Sequence, residues 1–207
     1  MAPRRSLEKL SRRAGVELGL KGARQAAGKS ARLRRPSPPG VHGRRRTRRE
    51  SDYLQQLKEK QKLQWFYGVP AGQLRRYFDA SRRTHAATGE ELLRQLEQRL
   101  DNVVYRLGFA GTRAQARQFV SHGHVEVNGT RVNRPSYQVR PGDAVSIAEG
   151  SGVEPLVREA IGLGFRIPDW LAADHDELTG RMTHRPARAE IDVPADEQRA
   201  VEFFAKF

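Results

Sequence analysis

Apolar residues return at three- and four-residue intervals through Leu92, Leu93, Leu96, Leu100, Val103, Val104 and Leu107, the period of one helical face. Thr88 and Glu91 stand at capping-box spacing before this run, and Gly108 supplies a left-handed stop. One helix is therefore expected across it. Thr112 and Gln115 repeat the box and open a shorter helix, which runs to about His122 and ends at Gly123. Ala116, Phe119 and Val120 share one side of it, while Arg113 and Arg117 lie one turn apart on the adjoining side. The period then changes from helical to alternating. Val125 and Val127 point one way and His124 and Glu126 the other, and Asn128-Gly129 is a hairpin turn because both positions need positive φ. Arg131 and Val132 begin the return strand. Arg140-Pro141-Gly142-Asp143 spells a type II turn, and residues 144–148 make one more strand.

Four stretches follow from the same patterning. Residues 1–49 are rich in Gly, Ser, Pro and Arg, and Pro36, Pro38, Pro39 and Gly40 exclude regular helix from the centre of an arm that a partner orders. From Ser51, Tyr53, Leu54, Leu57 and Leu63 predict a helix ending at Gly68. A second follows Pro70, with Leu74, Tyr77 and Phe78 on one side and Lys58, Lys62, Arg75 and Arg76 decorating the outside of the pair. The helix–helix–hairpin unit comes third. After about residue 150 the segments are mixed and polar, with a closing helix over residues 196–204 whose Val201, Phe203 and Phe204 need a surface to cover. No internal repeat is apparent.

Charge sharpens the picture more than composition does. The chain has 207 residues, a net charge of +14 and 37% hydrophobic content, enough for small cores and not for one large one. Residues 1–49 hold 16 Lys plus Arg against 2 acidic residues, while residues 50–207 balance at 22 and 22. Within that remainder, residues 50–140 carry 15 basic and 9 acidic residues, and residues 141–207 carry 7 and 13. An arginine-dominated arm with so little acidic relief binds polyanions by counterion release, and arginine forks suit phosphates. Cysteine is absent, which excludes disulfides, thiolate metal sites and a cysteine nucleophile. No run of eighteen apolar residues and no signal-peptide pattern occurs, so a cytoplasmic location and no membrane partner are expected.

Several residue groups admit more than one reading. Arg113 and Arg117 suit phosphate contact better than an idle helix edge. His122 and His124 fit a base-stacking pair, structural polar residues or, least well, a metal pair. Trp65, Phe66 and Tyr67 read as helix-packing core before base-stacking aromatics. Asp101, near Arg99 and Arg106, reads as helix-surface ion pairing before a catalytic carboxylate. No phosphate-cradling glycine loop, metal-ligand set or activated nucleophile is present, so no enzyme and no cofactor are expected. Gln115 and Gln118 leave major-groove DNA readout a weak alternative.

These stretches resemble the universal small-ribosomal-subunit protein S-four family in its bacterial form. The likeness is carried by RRPSPPGVHG from Arg34, EKQKLQWFYGV from Glu59, LLRQLEQRLDNVVYRLGFA from Leu92 and DEQRAVEFFAKF from Asp196, in that order. It implies an α+β fold in which the first helices and the C-terminal helix build one domain, with an α/β RNA-binding domain of two helices plus a small, mainly antiparallel sheet inserted between them. The boundaries expected are an arm at 1–49, a helical domain at 50–95 and 175–207, and an insert at 96–174 with its core at 97–148. The resemblance further implies a structural constituent of the small ribosomal subunit. The resemblance also implies a primary binder of small-subunit ribosomal RNA, one expected to nucleate assembly, support translational accuracy and line the path where messenger RNA enters and is unwound. Its expected neighbours are ribosomal proteins of families three and five.

Transferred position by position, Arg99, Arg106, Arg113, Arg117, His122 and His124 are expected to contact RNA, with Asn128 and Gly129 shaping the hairpin. Arg44, Arg45, Arg46, Arg48 and Arg49 match only in character. Arg34, Arg35, His42, Lys58, Lys62, Arg75, Arg76, Arg131 and Arg140 complete the expected RNA-binding set. Many family members carry four arm cysteines at zinc-binding spacing, and Glu8, Ser11, Gln25 and Ser30 stand there instead. Zinc is therefore not expected, and the chain resembles the zinc-independent versions that some bacteria keep as alternates for zinc limitation. Two rivals share the helix–helix–hairpin module: RNA-modifying enzymes such as pseudouridine synthases, which need a separate catalytic domain, and a small stress-related ribosome-binding protein, which lacks the arm and the closing helix.

Overall fold

A computed structural model describes residues 6–22, 27–40, 50–84 and 86–206. The chain divides into two units, one of Met1–Leu92 with Val193–Phe207 and one of Leu93–Asp192.

The first unit is helical. α1 (Leu7–Ala14) ends at Gly15 with φ 72°. Beyond it Leu18 is fully buried, and Arg12 donates from Nε to the Ser37 carbonyl at 3.0 Å, tying the proline-rich segment back to α1. α2 is a single turn, Ala31–Arg34. The Ser51 hydroxyl accepts from the Leu54 amide and opens α3 (Asp52–Tyr67), which Gly68 closes in the left-handed region. α4 (Ala71–Ser81) starts after Pro70 and buries Leu74, Tyr77 and Phe78. The Asp196 carboxylate accepts from the Arg199 amide and opens α9 (Glu197–Ala205). α9 covers α3 and α4: Phe204 stacks on Phe78 at 5.1 Å, Phe203 meets Tyr53 at 5.8 Å, and Gln56 donates to Glu202 at 2.8 Å. Phe66 and Tyr67 are core, in edge contact at 5.0 Å.

The expected single helix over 88–107 is broken in two, α5 (Thr88–Glu97) and α6 (Leu100–Arg106). Arg99 takes φ −62° and ψ 135° and pairs with Gln138 as an isolated antiparallel bridge, so the backbone leaves helical geometry for two residues to bond another segment. The capping threonine is displaced as well, because the Glu91 amide bonds the carbonyl of Ala87, not a side chain of Thr88. α7 (Arg113–Ser121) is capped as expected by the Thr112 hydroxyl at 3.1 Å from the Gln115 amide. Gln115 turns back to accept from Gly111 at 2.9 Å.

β1 (Val125–Val127), β2 (Thr130–Arg131), β3 (Ala144–Ile147), β4 (Leu171–Asp174) and β5 (Thr179–Met182) form one antiparallel sheet in the order β2-β1-β3-β5-β4. Asn128 and Gly129 hold φ 51° and 75° at the first hairpin. Helix α8 (Glu154–Ile161) and the β4–β5 hairpin lie in the segment that reads as mixed and polar. The second unit therefore runs to Asp192, and the expected boundary at 174/175 falls inside the β4–β5 hairpin. Val103, Leu107, Phe119 and Val120 pack on one face of the sheet with Val125, Val145, Ile147, Trp170 and Met182.

Leu107 approaches β5 so closely that a Cβ on Gly180 would lie 2.4 Å from its Cδ2 and 3.1 Å from the Ala172 carbonyl oxygen. Leu107 is fully buried in a packed core and cannot swing away freely. Gly180→Ala is expected to destabilise the protein by about 1–3 kcal/mol in urea unfolding. Gly72→Ala, where a Cβ meets nothing within 4 Å, is the control and should not destabilise.

Candidate nucleic-acid interface

The break between α5 and α6 gathers the polar groups of the second unit. Glu97, at the end of α5, has a fully buried side chain and receives both prongs of Arg106, Nε at 3.0 Å and Nη2 at 2.7 Å. The Asn102 carboxamide, also buried, donates to Glu97 at 2.6 Å and accepts from Arg113 Nε at 2.8 Å. The Arg113 guanidinium lies 4.4 Å from the centre of the Tyr105 ring. One residue before Asn102, Asp101 accepts the Arg99 fork at 3.0 and 2.7 Å, and its Oδ2 stands 3.6 Å from Arg117 Nη1.

Burial separates these arginines into two kinds. Arg99 is 2% exposed, so the expected RNA contact there is corrected to a scaffold role: its fork is spent on Asp101 inside the fold. Asp101 is likewise not a surface ion pair, being 4% exposed. Burial pushes its carboxyl above the usual value, against the pull of the Arg99 hydrogen bonds and charge, of Arg117, and of the Asn102 amide. Arg106 and Arg113 are half-buried and engaged with Glu97 and Asn102. Arg117 is the exposed member of the set, its side chain 45% open to water with the inner edge against Asp101.

The hairpin and the loop after it carry the remaining exposed cations. Arg131, on β2, is exposed and 3.6 Å from Glu126, its cross-strand partner. Arg140 is exposed at the type II turn, where the Asp143 amide bonds the Arg140 carbonyl and Gly142 has φ 92°. The Asn128 side chain donates to Asp143 at 2.9 Å and accepts from the Ala144 amide at 2.9 Å, locking the hairpin tip against that turn. His122 is exposed. His124 is half-buried, bonded through Nδ1 to the Ser151 hydroxyl at 2.9 Å and edge-on to Phe119 at 6.5 Å. With the two imidazole centres 6.2 Å apart, the pair diverges in role, one ring at the surface and one fixed in the structure.

Arg134 and Tyr137, both exposed on the loop after β2, were not singled out by pattern. The Arg134-Pro135 step and the lack of period there gave no element to place them on.

In the first unit, Arg34, Arg35 and Arg76 are exposed. Lys58 contacts Glu50, Lys62 lies 2.7 Å from Glu59, and Arg75 bonds Asp79 at 3.2 Å and the Phe204 carbonyl at 3.4 Å beside the Phe78 ring. Lys58, Lys62 and Arg75 thus hold partners within their own unit. Arg34 and Arg35 line a cavity of about 410 Å³ together with Ser6, Glu8, Lys9 and Arg12. His42, Arg44, Arg45, Arg46, Arg48 and Arg49 lie outside the described residues.

The positions held by cysteines in zinc-binding arms do not suit a metal. Glu8 is 3.5 Å from Lys21, Ser11 is buried with only a hydroxyl to offer, and the Ser30 hydroxyl accepts from the Leu33 amide at 3.3 Å. Gln25 lies outside the described residues. Among the described residues no three His, Cys, Asp or Glu side chains converge as a metal site, and no helix is long and apolar enough to cross a membrane.

Comparison with known proteins matches residues 4–97 to the ribosomal protein S4/S9 N-terminal domain and residues 98–145 to the S4 domain. The small ribosomal subunit protein uS4 of Natranaerobius thermophilus is 50% identical over 200 residues, covering 96% of each chain. That of Thermus thermophilus is 46% identical over 200 residues, again 96% of each, and protein uS4A of Symbiobacterium thermophilum is 47% identical over 199 residues at the same coverage. With the two family models matched on adjoining stretches and nearly the whole length shared with these relatives, the cysteine-free chain belongs to the small ribosomal subunit protein uS4 family.

Proposed function

We propose that this protein is a structural constituent of the small ribosomal subunit, in the cytoplasm, that binds the subunit's ribosomal RNA through the cationic surface of α7, the β1–β2 hairpin and the loop that follows. The observation that carries the reading is the sorting of arginines at the α5–α6 break, where buried forks hold the scaffold and Arg117 faces water from its rim. Arg131, Arg134 and Arg140 extend that exposed charge along the hairpin. Among the expected contacts, His122 belongs to this surface, while Arg106, Arg113 and His124 support it from beneath. The arm, with 16 of the chain's 38 basic residues, supplies a second and sequence-independent grip on phosphates.

As a member of a family of ribosomal proteins the chain is not an enzyme, and its chemistry is recognition without bond making. Family resemblance supports the finer reading: binding early in assembly, a position where messenger RNA enters beside proteins of families three and five, and a contribution to accuracy and to unwinding of the message. Sedimentation of tagged protein with crosslinking tests the assignment. Recovery with the small subunit and its RNA is expected; recovery with the large subunit or with free transfer RNA refutes it.

Two variants test the surface. Arg117→Ala should weaken binding to small-subunit ribosomal RNA and flatten the log K against log salt plot by about one unit. An unchanged slope removes Arg117 from the phosphate contacts. Asp101→Ala should lower the unfolding free energy by about 3 kcal/mol, because Arg99 is left buried without its counter-charge. A loss below about 1 kcal/mol in denaturant titration would mean that the carboxylate is not structural.

A further inference from the structure

We infer that Tyr137 is a stacking platform for an unpaired RNA base, an assignment that rests on the RNA-binding reading above. Tyr53 and Tyr67 have ring partners, Tyr105 lies against Phe165 and the Arg113 guanidinium, and Tyr77 is buried. Tyr53 is also exposed, at 49%, but lies against Phe203; Tyr137 is 36% exposed with no ring contact and no side-chain hydrogen bond among the described residues. An exposed aromatic with neither a ring partner nor a hydrogen-bond partner keeps part of its π face open to a ligand.

The backbone beneath the ring is fixed. The first amides of α6 have no side-chain cap at Arg99, and carbonyls of this loop serve them instead: Tyr137 accepts from the Leu100 amide at 2.9 Å and Pro135 from the Asp101 amide at 3.3 Å. The Tyr137 amide donates to the Arg134 carbonyl at 3.0 Å, which closes a turn. Val139, fully buried, donates to the Gln98 carbonyl at 2.9 Å and accepts from the Gln98 carboxamide at 3.2 Å. The loop is stapled on both sides of the tyrosine, so a ligand meets a ring whose backbone needs no ordering.

The surroundings choose the ligand. Exposed Arg134 precedes the ring by three residues and exposed Arg140 follows by three, with Arg131 at the end of β2. A π face on a loop that also carries exposed arginines matches a nucleotide, base on the ring and phosphate on the arginines; an aliphatic protein surface would have to strip water from the same cations without compensation. The base must be unpaired, since a helix interior offers no free face to stack upon.

The test uses the full chain and deproteinised small-subunit ribosomal RNA as probe, in filter binding across a potassium chloride series, with a fully paired RNA duplex alongside. Tyr137→Ala is expected to bind the ribosomal RNA about tenfold more weakly at an unchanged salt slope. Tyr137→Phe is expected to restore binding, and the duplex is expected not to distinguish the variants. Thermal melts of each variant establish that the fold is intact. The inference is overturned if Tyr137→Ala binds like the parent while Arg117→Ala still flattens the slope, which leaves the RNA reading standing. It is equally overturned if the loss appears on duplex and ribosomal RNA alike, or only when other ribosomal proteins are added, the mark of a protein contact. No binding of ribosomal RNA by the parent chain would sink the functional reading itself.

Discussion

Glu97 and Asp101 lose almost all contact with water at the break between α5 and α6, and each receives the two-pronged donor of an arginine. Taking such charges out of water costs several kcal/mol per ion, which good fork geometry largely offsets, so the pairs add orientation more than net stability. That orientation is what the rest of the insert depends on. Asn102 hangs from Glu97 and fixes Arg113; Asp101, held by Arg99, sets the inner edge of Arg117. One buried layer of alternating sign thus determines which guanidiniums face inward and which meet solvent.

The same break explains why the loop after the hairpin is ordered. α6 starts without a side-chain cap, and its first two amides are satisfied by the carbonyls of Tyr137 and Pro135. A helix start normally completed within its own segment is here completed by residues nearly forty positions along the chain, which welds α6 to the hairpin side of the sheet. The proposed RNA surface is consequently built from α7, the β1–β2 hairpin and the 133–140 loop as one rigid piece, while the acidic excess of residues 141–207 falls on later elements.

Much of this was legible from the residues. The helix starts at Ser51, Thr112 and Asp196, the left-handed stops at Gly68, Gly108 and Gly123, and the Asn128-Gly129 turn all follow from local chemistry that acts within four residues. The break at Gln98-Arg99 was not legible, because Leu96, Leu100, Val103 and Leu107 keep helical period across it and the bond that interrupts it comes from Gln138 and Val139. The β4–β5 hairpin was hidden for a related reason. Its ladder positions include Ala172, Ala173 and Gly180, small residues that are silent in an apolar pattern, and at Gly180 the lack of a side chain is demanded by Leu107 at the end of α6. Nor does sequence distinguish Arg99 from Arg117: both fall within helical periodicity, and only burial assigns one to Asp101 and the other to the surface.

The central claim is that this surface is preformed before any RNA arrives, and amide hydrogen exchange of the free protein tests it most directly. The Leu100 and Asp101 amides, bonded to the loop carbonyls, should exchange as slowly as those of the Val103 and Val104 core and change little when ribosomal RNA is added. Rapid exchange at those two amides in the free chain, with protection appearing only on RNA binding, would contradict it.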